Sequence, residues 1–151
     1  MIQRKQSVFL LLAVILSVAC LSLPIGSYTP SGMGLPDVLM NLWIRHGNGV
    51  VTFTTCPLFI LLLLSSVLSV LTIFAYKNRR LQIVLCSLLI LLHVGWYIVF
   101  AVFGTVKVPD SMTFRPAWTA AFPLVSLILT WLARKGVIAD EKLVRAADRI
   151  R

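Results

Sequence analysis

Long runs without a charged residue dominate the pattern of the chain. Such runs occur four times, and each one ends at a basic or turn-forming residue. Crossing about 30 Å of hydrocarbon takes about 20 helical residues, and about 17 to 25 are acceptable. A helix suits these runs because it satisfies its own backbone hydrogen bonds where water is absent. The pattern therefore predicts an all-α fold, a four-helix transmembrane bundle with helices at residues 7–24, 55–76, 81–103 and 116–133.

The connections between these runs differ in character. Residues 25–52 combine turn formers with the apolar stretch "VLMNLWI", so we expect a partly structured segment on the outer membrane face, as a short helix or a strand pair. The stretch "VVTFTT" alternates like a strand, but it also suits the start of the second helix. The short link "YKNRR" makes the second and third helices antiparallel neighbours. Residues 104–115 form an outer loop, and Pro123 should kink the fourth helix.

Composition supports a single membrane domain covering residues 1–151. The chain is 59% hydrophobic and 13% charged, whereas a soluble domain carries about 25% charged residues. A chain of 151 residues cannot bury so much apolar surface in a water-facing globule, so the excess should face lipid.

Basic residues give the orientation. Placing both termini inside puts eleven of the 14 basic residues on the inner side of the membrane and three on the outer side. The positive-inside rule favours this N-in, C-in arrangement, which predicts a multi-pass protein of the inner, cytoplasmic membrane. The net charge of +9 then reflects topology and attraction to membrane lipids, and we expect no nucleic-acid partner. A cleaved signal peptide is the alternative for the first run, since the run is basic and then apolar.

The cytoplasmic tail, residues 134–151, predicts a short amphipathic helix. Its acids come first and its arginines last, as a helix dipole favours. It could lie on anionic lipid, dock a protein partner together with the 76–80 hairpin, or be a solvated tail. The candidate lipid or partner contacts are Lys77, Arg79, Arg80, Arg145, Arg149 and Arg151.

A histidine interrupts the third apolar run, "LCSLLILLHVGWYIVF". His93 lies near the middle of that run and shares one helical face with three other polar side chains. We expect a neutral, hydrogen-bonded His93 that ties the helices together; a proton relay, a quinone or substrate site, and metal or haem ligation are the alternatives. The predicted intramembrane polar cluster comprises Gln82, Cys86, His93, Tyr97, Ser65, Ser69, Thr72, Ser126 and Thr130.

Enzyme and metal motifs are missing from the sequence. All five acidic residues lie outside the predicted membrane core, and the three cysteines have no metal-ligand spacing. We therefore predict no catalytic residue, no metal and no cofactor. Cys20 and Cys56 could form a disulfide near the outer boundary, although free thiols are the favoured interpretation.

Three stretches carry a family resemblance: the opening "MIQRKQSVFLLLA", the hairpin "YKNRRLQIVLCSLLILL" and the ending "RKGVIADEKLVRAADRIR". Together they resemble the small four-helix integral membrane proteins of Bacteroidetes that are grouped as a domain of unknown function. The resemblance implies an inner-membrane protein of a diderm bacterium. It implies no activity and no catalytic residue.

These observations lead to three functional hypotheses. The first is a non-enzymatic accessory or scaffold subunit of an inner-membrane assembly, docking through its cytoplasmic hairpin and tail. The second is a small channel or transporter that uses the polar face of the third helix around His93. The third is a membrane-embedded enzyme or quinone-binding subunit.

Overall fold

The structure is a computed structural model that describes residues 3–75 and 78–149. In this part of the chain the prediction of four helices is confirmed, but the prediction of an all-α fold is wrong, because a five-stranded antiparallel sheet is also present. The helices are α1 (Gln3–Ser22), α2 (Cys56–Phe74), α3 (Arg79–Thr105) and α4 (Phe122–Arg149). The strands are β1 (Gly26–Pro30), β2 (Asp37–Leu39), β3 (Ile44–Arg45), β4 (Val51–Thr52) and β5 (Met112–Pro116).

The sheet combines two distant segments of the chain. Its strand order is β4-β3-β2-β1-β5, so the four strands between α1 and α2 receive a fifth strand from the connection between α3 and α4. Tyr28 of β1 lies opposite Asp37 of β2 and Phe114 of β5. The segments predicted as an outer segment and an outer loop are therefore one antiparallel sheet over the ends of the helices. We call this the sheet end of the molecule.

Each helix packs along two others. α1 lies against α4 and α2, and α3 lies against α2 and α4. Three helical segments among the described residues are long and apolar enough to cross a membrane, namely Cys56–Phe74, Arg79–Thr105 and Trp118–Val144. The apolar part of α1, Gln6–Ser22, is shorter. Many outward-facing side chains on these helices are large and apolar, and an exposed apolar surface of this kind suits contact with lipid; they include Ile15, Ile60, Leu71, Leu91 and Ile98.

The start of α4 corrects the prediction of a proline kink. A 3-10 turn, Trp118–Ala121, precedes the helix, and Phe122 donates its backbone N–H to the carbonyl of Thr119. Pro123 therefore lies in the first turn of α4. Backbone N–H groups in a first turn have no acceptor within the helix, so the missing N–H of Pro123 costs the helix no hydrogen bond. The carbonyl of Thr119, four residues before Pro123, is bonded and not freed by a kink.

The far end of α4 corrects the prediction of a separate tail helix. α4 continues without a break from Phe122 to Arg149, a length of about 42 Å. Its distal part lies beside the start of α1 and the start of α3, where Gln6 and Arg79 bond to Asp140. We call this region, which also holds Arg80, Arg134 and Lys135, the basic end of the molecule.

Candidate functional site

The predicted intramembrane polar cluster lies on the inner faces of the helices. Gln82, Cys86 and His93 of α3 are buried, and Tyr97 is half-buried. On the neighbouring helices the remaining side chains of the cluster are buried as well: Ser65, Ser69, Thr72, Ser126 and Thr130. Polar side chains thus turn away from the periphery, although burial alone does not join them to one another.

Three of the six hydroxyl groups of this cluster bond within their own helix. Ser65 donates to the carbonyl of Leu62, Thr72 to that of Leu68, and Thr130 to that of Ser126. Such back-bonding satisfies a serine or threonine without help from a neighbour. These hydroxyls therefore need no partner on another helix.

His93 follows the same pattern with one of its two nitrogens. Its Nδ1 lies 2.8 Å from the carbonyl oxygen of Leu89, one turn earlier in α3. Its Nε2 is buried and has no hydrogen-bond partner among the described residues. The contacts of His93 thus do not include the bonds to other helices that the sequence led us to expect.

The hydrogen bonds that do cross between helices come from other positions. Ser17 of α1 donates to Ser126 of α4 at 3.5 Å, and Ser126 donates to the carbonyl of Ala13 at 3.2 Å. Gln82 of α3 donates to the carbonyl of Thr72 in α2 at 3.3 Å. Tyr97 bonds the carbonyl of Ala120 at 2.7 Å, in the turn before α4. Gln82, Tyr97 and Ser126 are therefore the members of the predicted cluster that link separate elements.

At the basic end, two of the candidate contact residues are tied to α4. Arg79 donates to the carbonyl of Asp140 at 3.0 Å, and Arg80 lies 3.6 Å from the carboxylate of Glu141. The carboxylate of Asp140 accepts from Gln6 of α1 at 2.7 Å. Lys77 and Arg151 lie outside the described residues, as do the side chains of Arg145 and Arg149.

Two buried side chains fasten the sheet end to the helices, and neither was among the predicted site residues. Asn41 donates to the carbonyl of Cys20 at 2.6 Å and accepts from the indole of Trp96 at 3.0 Å. Tyr28 donates its hydroxyl to the carbonyl of Phe103 at 2.9 Å. A lone asparagine within the apolar stretch "VLMNLWI" was the available signal for the first contact.

Tyr28 also has a perturbed acidity. Burial raises the pKa of its phenol above the ordinary value of 10.0, and the nearby carboxylate of Asp37 raises it further. Both effects disfavour the phenolate, so the neutral hydroxyl remains available to donate to Phe103.

The sheet carries a second polar constellation, around His46. Its Nδ1 lies 2.6 Å from the carboxylate of Asp37, and its Nε2 lies 3.1 Å from the hydroxyl of Thr52. The other oxygen of Asp37 accepts from the backbone N–H of Gly47 at 2.8 Å. An open cavity of about 430 Å³ adjoins them, lined by Leu35, Asp37, His46, Gly47, Asn48 and Met112.

This order of hydroxyl, imidazole and carboxylate matches an activated nucleophile in outline. Acyl transfer also needs free donors for the oxyanion, and three amides close to His46 are already used. Those of Gly47, Gly49 and Val50 bond to Asp37, to the carbonyl of His46 and to the side chain of Asn48, respectively. The contacts of these side chains connect β2 with the turn between β3 and β4.

The cysteines and acids in the described part of the chain form no metal site. All three cysteines are free thiols, so Cys20 and Cys56 are not joined. Among the described residues no group of three or more histidine, cysteine, aspartate or glutamate side chains could hold a metal ion.

Comparison with known families covers nearly the whole chain. Residues 2–150 match the model of a family described as a domain of unknown function, DUF4293. The chain belongs to this family. Membership in a domain-of-unknown-function family is thereby confirmed, and that description names no activity. No curated protein matches the chain.

The family description therefore assigns no functional site to the chain. The described residues offer three constellations: the polar groups between the helices, the fastened sheet end, and the basic end where α1, α3 and α4 meet.

Proposed function

We propose that this protein is a multi-pass inner-membrane protein with both termini in the cytoplasm, and that it serves as an accessory or scaffold subunit of a membrane assembly. The carrying observation is the basic end, where hydrogen bonds from Gln6 and Arg79 hold the distal part of α4 in place. Such contacts make a preorganised surface, and preorganisation lowers the entropy cost of docking.

The membrane placement rests on two features. Three long apolar helices carry large exposed side chains on their outer faces, and a lipid environment accommodates such faces. The basic residues fall mostly at the end opposite the sheet, which the positive-inside rule assigns to the cytoplasm.

The partner surface lies beyond Asp140 and Glu141 on α4. Leu143 and Val144 are both exposed there, one turn past the contacts with α1 and α3. An apolar pair flanked by charged residues on a rigid helix is a suitable contact for a protein partner.

Orientation can be tested with single-cysteine variants. In a background with the three native cysteines replaced, Asn48→Cys places a thiol on the sheet and Ala146→Cys places one on distal α4, where both positions are exposed. We expect a membrane-impermeant maleimide to label position 48 and not position 146 in spheroplasts, and to label both after lysis. Labelling of position 146 in intact spheroplasts would contradict the proposed topology.

Docking can be tested by truncation after Lys142, which removes the exposed apolar pair but keeps the contacts of Asp140 and Glu141. After crosslinking in native membranes, we expect one partner to co-purify with the full chain and to be lost from the truncated one. The matched control, Val50→Gln, alters an exposed apolar residue at the sheet end and should retain the partner. Equal recovery with the truncated chain would refute the docking surface.

A small channel or transporter is a second candidate, because the buried Nε2 of His93 has no partner in the described part of the chain. An ionisable group without a partner between membrane helices is a candidate site for a proton or a substrate. A folded His93→Leu variant that abolishes proton or solute flux in liposomes would favour this function. Liposomes without any flux above background would exclude it.

A further inference from the structure

Two cations at the basic end remain outside the contacts that the proposed function uses. Arg134 and Lys135 are consecutive residues of α4, and the first is half-buried while the second is exposed. Among the described residues an ion pair joins Arg80 to Glu141, and the carboxylate of Asp37 lies against His46. Neither contact involves Arg134 or Lys135.

Arg134 is nevertheless held in one position. Its Nε donates to the hydroxyl of Ser87 on α3 at 2.9 Å, which leaves its four terminal N–H groups for another acceptor. Lys135 is held as well, because its Nζ lies 3.7 Å from the ring centroid of Trp131. Two fixed positive groups thus lie at the seam between α3 and α4.

The surface next to these cations is apolar and faces outward. On α3, exposed Val84, Leu88 and Leu91 surround Ser87 within one helical turn. On α4, Trp131 continues an exposed stripe with spacings of three and four residues, a single helical face; the stripe comprises Leu124, Ile128 and Trp131. The cations therefore cap the basic end of an outward apolar strip.

We propose that Arg134 and Lys135 bind the phosphodiester of a phospholipid whose headgroup is negatively charged, with its acyl chains along the strip between α3 and α4. The proposal rests on the proposed function, in that these helices must cross a membrane. A planar guanidinium pairs with two phosphate oxygens at once, and the ammonium adds a second positive charge.

The nearby acidic residues explain why we expect a headgroup with a net negative charge. Asp140 faces Gln6 on α1, and Glu141 faces Arg80. Neither carboxylate is thereby available at the seam to pair with the ammonium of a zwitterionic headgroup. A lipid with a net negative charge avoids placing its own cation beside Arg134 and Lys135.

The test measures lipid binding to the purified full chain by native mass spectrometry. Phosphatidylglycerol and phosphatidylcholine with identical acyl chains are titrated in detergent. We expect the wild-type protein to prefer phosphatidylglycerol, and each of Arg134→Gln and Lys135→Gln to weaken its binding about fivefold while phosphatidylcholine binding, which shares the phosphodiester, is weakened less. Ser87→Ala keeps both charges but releases the guanidinium, so it should weaken binding less than Arg134→Gln.

Lys142→Gln is the matched control, because it removes an exposed basic residue from the same helix about two turns further on. We expect it to leave the preference intact. Equal losses in the control and the two seam variants, or no loss in either seam variant, would overturn the proposal. Displacement of the lipid by an equal concentration of inorganic phosphate would also overturn it, since the acyl chains would then contribute nothing.

Circular dichroism and thermal unfolding of each variant separate lost binding from lost folding. The seam variants leave residues 143–151 intact, so partner recovery in the truncation experiment is independent of this result. Failure of the lipid site therefore leaves the docking proposal untouched, and failure of docking leaves the lipid site untouched.

Discussion

The sheet end and the middle of the helices satisfy buried polar groups in opposite ways. At the sheet end, Asn41 and Tyr28 reach the backbone of other elements. Between the helices, Ser65 and Thr72 bond back to carbonyls of their own helix. Polar side chains therefore hold separate elements together at the sheet end, whereas many of those between the helices bond only to a carbonyl of their own helix.

The difference follows from where helices leave carbonyl groups unpaired. The last four carbonyls of a helix have no intrahelical partner. Cys20 lies in the last turn of α1 and Phe103 in the last turn of α3, and these two carbonyls accept from Asn41 and Tyr28. The sheet thus caps two helix ends, while interior carbonyls are already paired and accept only a second, local bond.

Among the substitutions that test this difference, Asn41→Leu should change the free energy of unfolding most. The change leaves the carbonyl of Cys20 and the indole N–H of Trp96 buried without their bonds, so we expect a loss of about 3 kcal/mol of unfolding free energy. Chemical denaturation in detergent, followed by tryptophan fluorescence, measures it. Asn48→Ala is the control, since that exposed side chain bonds only the nearby amide of Val50; a loss as large in the control would remove the special role of Asn41.

Tyr28→Phe should have a smaller effect, about 1 kcal/mol at neutral pH, because one hydroxyl bond to the carbonyl of Phe103 is lost. Chemical denaturation in detergent measures it.

The wild-type protein and the Tyr28→Phe variant also allow a test of pH dependence. The pKa of Tyr28 is raised above 10.0 by burial and by Asp37, so the stabilisation from the neutral phenol is complete below pH 10 and disappears as the pH passes the raised pKa. We expect the wild-type advantage over Tyr28→Phe to vanish in that alkaline range. An advantage that persists there would contradict the assignment.

The sequence was sufficient for the helices and insufficient for the sheet, for physical reasons. Helices α2 and α3 could be predicted because their apolar runs are long and continuous in the sequence. β3 and β4 have two residues each, too few for a period-two pattern, and β5 pairs with β1 from the other end of the chain. Pro123 was misplaced because the apolar run extends upstream of the first turn of α4.

For the candidate site residues, the sequence indicates which positions share a helical face but not which groups they bond. Helical periodicity grouped polar positions that the structure buries, such as Gln82 and Ser126. It could not give bonding partners, since a serine can bond its own helix or its neighbour with the same spacing. His46 was passed over because Asp37 and Thr52 approach it only once β2, β3 and β4 are paired.

His93→Leu probes the middle of the helices. One bond to the carbonyl of Leu89 is lost, but a buried Nε2 with no described partner is removed as well. These contributions oppose each other, so we expect a change below about 1 kcal/mol. Thermal unfolding in detergent measures it, with Trp96→Phe as the comparison because that indole bonds Asn41. A loss of several kcal/mol for His93→Leu would mean that the imidazole links helices after all.

The smallest expected effect is that of Ser65→Ala, which tests directly whether a hydroxyl bond within one helix contributes to stability. The hydroxyl of Ser65 bonds the carbonyl of Leu62, which an intact helix already pairs with its own backbone N–H. Removing the hydroxyl therefore leaves no carbonyl without a partner, and we expect a change within about 0.5 kcal/mol. Ser126→Ala is the matched variant, because that hydroxyl crosses to the carbonyl of Ala13 and accepts from Ser17. It should cost about 1 kcal/mol. If both serines give the same value, crossing between helices contributes nothing beyond the local bond, and the contrast between the sheet end and the middle of the helices would be one of packing alone.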